Sequence, residues 1–78
     1  MSSHFPRVSS RDAIKAFIKL GWLELPSRRG KGSHTRIYHE IRPAILTVPH
    51  RKTLAVGTLR SLIADSGNEV AEFVEALR

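Results

Sequence analysis

Cysteine is absent from the 78 residues, and with it go disulfide staples, thiolate zinc sites and thiol nucleophiles. A chain this short buries only about 60% of the surface its unfolded form exposes. Small secreted domains offset that shortfall with cross-links; this chain must hold itself together by packing. Long apolar runs are missing too. Nothing approaches the roughly 18 apolar residues of a membrane-spanning helix, and Met1 to Arg7 lacks the apolar stretch of a signal peptide. The expectation is a cytoplasmic protein with no membrane partner. Acidic residues are scarce, seven against thirteen lysines and arginines, for a net charge of +6. What remains is ordinary for one folded domain: 41% apolar residues, and charges too mixed in sign for a disordered tail.

The cations are not spread evenly. Between positions 28 and 60 stand Arg28, Arg29, Lys31, Arg36, Arg42, Arg51, Lys52 and Arg60 against Glu40 alone. From Asp65 onward the sign reverses, with Glu69, Glu72 and Glu75 facing only Arg78. A basic centre with an acidic tail points to a polyanion-binding face and to nucleic acid as the partner.

Residues 1–8 carry no periodic apolar pattern and read as a flexible leader before a single domain over 9–78. Ser9 and Asp12 have the spacing of a capping box, and Ala13, Ile14, Phe17, Ile18 and Leu20 then recur at helical spacing. Gly21 supplies the left-handed residue that ends this helix, read over 10–20. Trp22 to Leu25 fits a short strand, stopped by Pro26. Thr35 to His39 and Ala44 to Val48 fit two more, joined by a turn over Glu40 to Pro43. Alternation along the second strand sets His34, Arg36 and Tyr38 on one face and Thr35, Ile37 and His39 on the other. Thr58 is a candidate cap for a helix with Leu59, Leu62 and Ile63 on its apolar stripe, and Gly67 ends it. A last short helix runs from Glu69 to Leu77. The order is α–β–β–β–α–α, an α+β fold with helices packed on a three-stranded antiparallel sheet.

The most informative stretch is Arg28-Arg29-Gly30-Lys31-Gly32-Ser33-His34. Its glycines let backbone N–H groups approach a phosphate while the cations supply charge. It is not a Walker A loop, because the spacing and the Gly-Lys-Ser/Thr ending are absent. No HExxH or carboxylate-rich spacing accompanies His34, His39 and His50, so no metal and no cofactor is expected.

Gly32-Ser33-His34, then Thr47-Val48-Pro49, then Gly57-Thr58-Leu59-Arg60-Ser61-Leu62-Ile63, with Gly21-Trp22, Ser66-Gly67 and Glu72-Phe73 around them, make the chain resemble the HicA toxin family. The likeness runs from about residue 9 to 77. It implies a fold similar to a double-stranded-RNA-binding domain and an mRNA-cleaving activity that needs no added metal. It also implies a HicB-like antitoxin that neutralises the toxin, with the free toxin a monomer and the neutralised one a hetero-oligomer. The family's essential histidine follows Gly-Ser and carries over to His34. The chain departs from the family where His39-Glu40-Ile41-Arg42-Pro43 stands in place of a His-Pro-Asp-Gly-like turn. It departs again where His50 follows Pro49 directly.

His34 suits such chemistry. RNA can be cut by its own 2′-hydroxyl, provided a base takes the proton, cations stabilise the crowded phosphorus and the leaving oxygen is protonated. An imidazole serves the proton step near neutrality. Arg28, Arg29, Lys31, Arg36, His50 and Arg60 are the expected RNA-binding residues, with His50 a candidate acid only if folding brings it close. Two non-catalytic readings stand beside this one: an RNA-binding module using the same surface for affinity, and a ribosome-associated structural protein. A double-stranded-RNA module would carry lysines at the start of its last main helix, where this chain offers only Arg60.

Overall fold

The computed structural model describes residues 5–26 and 32–78. Helix α1, Ser10–Lys19, begins where the Ser9 hydroxyl accepts the Asp12 N–H at 3.0 Å, satisfying one of the free donors of the first turn. It buries Ala13, Ala16 and Phe17. Gly21, at φ +100°, turns the chain back toward the sheet, and a side chain there would run into His39.

Three strands follow: β1, Leu23–Glu24; β2, His34–Tyr38; β3, Ile45–Pro49. They form an antiparallel meander in the order β1-β2-β3, as the short connections require. Relative to the sequence reading, β2 and β3 each lie one residue away, so that His34 enters the sheet and Pro49 closes it opposite His34. Proline is tolerated there because β3 is an edge strand. The register pairs Ile37 with Leu46 and Thr35 with Val48, which puts Ile37, Leu46 and Val48 on one face, fully buried.

Helices α2, Val56–Ser66, and α3, Val70–Ala76, complete the chain. α1 packs on β1 and β3, α2 on β3, and α3 on α1, so the helical layer covers the face carrying Ile37. At its centre Phe17 meets Phe73 at 4.9 Å between ring centroids and Trp22 edge-on at 6.1 Å. Such pairs add roughly 0.5–1.5 kcal/mol beyond their burial. The buried Trp22 indole donates to the Asn68 side-chain oxygen at 3.2 Å. Asn68 in turn donates to Glu72. Glu72 also accepts the Glu69 N–H and closes a capping box over α3. The segment Ser66-Gly67-Asn68 thereby ties both C-terminal helices to the end of α1.

Two expectations need correcting. Residues 5–8, read as the end of a flexible leader, are packed: Val8 is 4% exposed, Phe5 lies against the core, and the Val8 carbonyl accepts the Leu54 N–H at 2.7 Å. Phe5 and Val8, split by Pro6 and Arg7, are too few for an apolar period to show. Helix α2 starts two residues before Thr58, behind an extended Ala55 that offers no side-chain cap. Burial of Leu54 and Leu59 on either side of that start outweighs the capping preference of Thr58.

Candidate active site on the open face of the sheet

Because the helices cover one face of the sheet, strand alternation leaves the other bare among the described residues. The register reads across it in three rows. Leu23, Tyr38 and Ile45 form the first, an apolar row in which Leu23 is 41% and Ile45 55% exposed. Arg36 and Thr47 form the second and His34 and Pro49 the third, with His34, Arg36 and Thr47 exposed. The expected division of β2 into a His34–Arg36–Tyr38 face and a Thr35–Ile37 face is the one observed.

His34 opens β2, so its backbone is held by the sheet while its ring stands on the bare side. Its Nδ1 shares a 2.9 Å hydrogen bond with the Ser33 hydroxyl. A partner on one ring nitrogen orients the imidazole and leaves Nε2 without a hydrogen-bond partner among the described residues. Ser33 was part of the motif in the sequence but carried no role of its own there. The signal available was its position immediately before a strand-opening histidine.

Arg36, two residues along β2, stands on the same face and can set a guanidinium beside a phosphate held at His34. The other expected cations divide. Arg28, Arg29 and Lys31 lie outside the described residues. Arg60 belongs to α2 in the helical layer, its guanidinium carbon 4.7 Å from the centroid of the Phe5 ring. It therefore does not share the face of His34.

His50 does not join His34 either. Its N–H donates to the Ser33 carbonyl at 2.8 Å, so it sits at the same end of the sheet. Its ring, however, turns to the helical side, where Nε2 shares a 2.6 Å hydrogen bond with the Thr35 hydroxyl. The condition under which His50 would serve as the acid is not met. His39 does what its side of the sheet implies: it packs edge-on against Trp22 at 5.3 Å and accepts the Ile41 N–H in the following turn.

Among the described residues no three histidine or carboxylate side chains are grouped so as to hold a metal ion. In the same residues no helix is long and apolar enough to cross a membrane.

Comparison with known proteins accords with this geometry. The family model described as HicA toxin of bacterial toxin-antitoxin matches residues 10–67, from the start of α1 to the glycine that ends α2. Among solved structures, the chain is similar to one from a toxin-antitoxin complex of Streptococcus pneumoniae. The two share 25% identity and a TM-score of 0.62, over 76% of this chain and 95% of that one. None of the curated proteins matches the chain.

Proposed function

The chain belongs to the HicA toxin family of bacterial toxin–antitoxin systems, and on that footing we propose that it is an endoribonuclease acting on mRNA with His34 as general base. The observation that carries this reading is the placement of His34: exposed on the bare face, one ring nitrogen held by Ser33, Arg36 on the same face. Nε2 takes the proton from a ribose 2′-hydroxyl. The 2′-oxygen then forms a bond to the adjacent phosphorus as the bond from phosphorus to the 5′-oxygen breaks, and the departing oxygen takes a proton from solvent. Arg36 offsets charge building on the phosphoryl oxygens, joined by the cations that precede His34 in the sequence, Arg28, Arg29 and Lys31. Every atom in that exchange comes from RNA, imidazole and water.

The partner that restrains such an activity is a HicB-like antitoxin. A bare sheet face with exposed Leu23 and Ile45 beside Arg36 suits an acidic protein partner that lays apolar side chains on the first row and carboxylates near the second. Covering that face buries His34 and stops cleavage.

The test is cleavage of a generic mRNA in EDTA by purified protein, wild type beside His34→Ala. The wild type cuts, and the variant loses about 10²–10⁴-fold in rate while keeping its RNA affinity. Cleavage by the variant at the wild-type rate would remove His34 from the chemistry. If neither protein cuts and both bind RNA, the binding-module reading takes first place.

A further inference from the structure

On the helical side of the sheet, round the corner from His34, lies a groove that the proposed chemistry does not use. Three hollows run together there. The first, of about 550 Å³, lies between Arg7, Pro49, Arg51 and the start of α2 at Val56. The second shares Arg51 with it and adds Arg11, His50 and Lys52. The third shares Arg11 and His50 with the second and continues along α1 past Lys15, ending at Glu24.

The cations in this groove come from separate segments that the fold locks together. The buried Ser10 donates its N–H to the Arg51 carbonyl at 3.0 Å, donates its hydroxyl to the same oxygen at 3.2 Å, and accepts the Arg51 N–H at 3.1 Å. The loop bearing Arg51 and Lys52 is thus clamped to the first turn of α1, which carries Arg11. Lys15 follows one helical turn later, about 6 Å on. None of these cations is neutralised: among the described residues the one ion pair is Arg78 with Glu75. These clustered cations, with Glu24 the one carboxylate among the described residues lining the three hollows and lying at their far end, repel one another, and a polyanion relieves that repulsion while releasing its own counterions.

The groove also meets the candidate site. Pro49, which lines it, lies directly across the sheet from His34, and His50 is bonded through its backbone to Ser33. We propose that this groove binds the sugar–phosphate backbone of single-stranded RNA flanking the phosphate held at His34. The strand turns over the Pro49 end of the sheet and runs along Arg51, Lys52, Arg11 and Lys15. The inference rests on the ribonuclease reading for its choice of polyanion.

The experiment uses a 2′-O-methyl RNA of about twelve nucleotides, within the span of a single-strand groove and unable to be cut by 2′-hydroxyl attack. Its affinity is followed by fluorescence anisotropy over about 50–300 mM salt. Loss of three phosphate contacts in Arg11→Ala/Arg51→Ala/Lys52→Ala makes the plot of log affinity against log salt shallower by about 2. At about 0.1 M salt it weakens binding by up to about 100-fold. The pair Lys15→Ala/Lys52→Ala, which leaves the Arg51 side chain in place, reduces the slope by about 1.4. Wild-type slopes in both variants would overturn the groove and leave the catalytic reading standing. A wild-type protein that binds no RNA would overturn that reading and the groove with it. If the triple variant keeps the RNA slope but loses binding to poly-L-glutamate, the groove belongs to an acidic protein and the proposal fails.

Discussion

Phe73 offers the sharpest test of how this domain is held together. It lies in α3, beyond the last residue matched by the family model, yet its ring is fully buried and stacks at a tilt on Phe17. Truncating a buried phenylalanine costs about 3–5 kcal/mol, from lost transfer energy plus the cavity left behind. A domain of 78 residues has roughly 4–12 kcal/mol of stability in total, so Phe73→Ala removes a large share of it. At about 4–8 °C per kcal/mol for a domain this small, the midpoint of thermal unfolding falls by at least about 12 °C. Urea unfolding followed through Trp22, the sole tryptophan, gives the free energy directly. The same measurement by far-ultraviolet circular dichroism establishes whether loss is global. Phe73→Leu, which keeps most of the volume, recovers more than half of the deficit. A loss below about 1 kcal/mol in Phe73→Ala would refute the claim that α3 completes the core, since an appended helix costs little to loosen.

Three further outcomes are expected. Gly67→Ala forces a side chain onto a residue at φ +76° and toward the Arg42 guanidinium, 2.5 Å from the added carbon. The left-handed backbone costs about 1–2 kcal/mol, so the urea midpoint falls, and an unchanged midpoint would contradict the strain. Ser33→Ala frees the His34 ring and lowers kcat several-fold with KM unchanged, while Ser33→Thr restores much of it; equal losses in Ala and Thr would deny the hydroxyl its positioning role. The Glu72 carboxyl is held below its ordinary range by the Glu69 N–H first, then by Asn68 and Arg42. A carboxylate lowered in the folded state stabilises above its unfolded pKa and loses that contribution as pH falls through the folded value. Wild type is therefore more stable than Glu72→Gln at neutral pH, and the difference shrinks as pH falls through the lowered folded-state pKa of the carboxyl; a constant difference between them would sink this account.

The parts of the fold written in short-range pattern were readable in advance. The Ser9 cap, the glycines at 21 and 67, and the alternation of β2 each express a local rule, and the structure keeps them. The family likeness drew on two of these, Gly21 and Gly67, beside the Gly32-Ser33-His34 motif. What escaped is long-range. Asn68 looks like a loop residue until the fold brings Trp22 to it across 46 positions. Val8 looks like part of a leader until Leu54 arrives. The side of the sheet on which His50 lies depends on its register against Ser33 and Thr35, a relation between strands that no window of sequence contains. The candidate base was legible because its motif is contiguous. The cation groove was not, because Arg11 and Arg51, forty positions apart, are brought together by the bonds of Ser10 to Arg51.

The pairing of β2 with β3 also bears on how such a domain could be altered. Chemistry and core are written on alternate letters of the same five-residue word: even positions of β2 face outward and odd ones inward, and β3 has the opposite parity. A single insertion or deletion inside a strand exchanges the two alphabets beyond that point: between His34 and Ile37 in β2 it sends either His34 toward the helices or Ile37 into water. Substitutions preserve the parity. Combinatorial libraries confined to positions 36, 38, 45 and 47 could therefore reshape what the bare face recognises without touching the packed one.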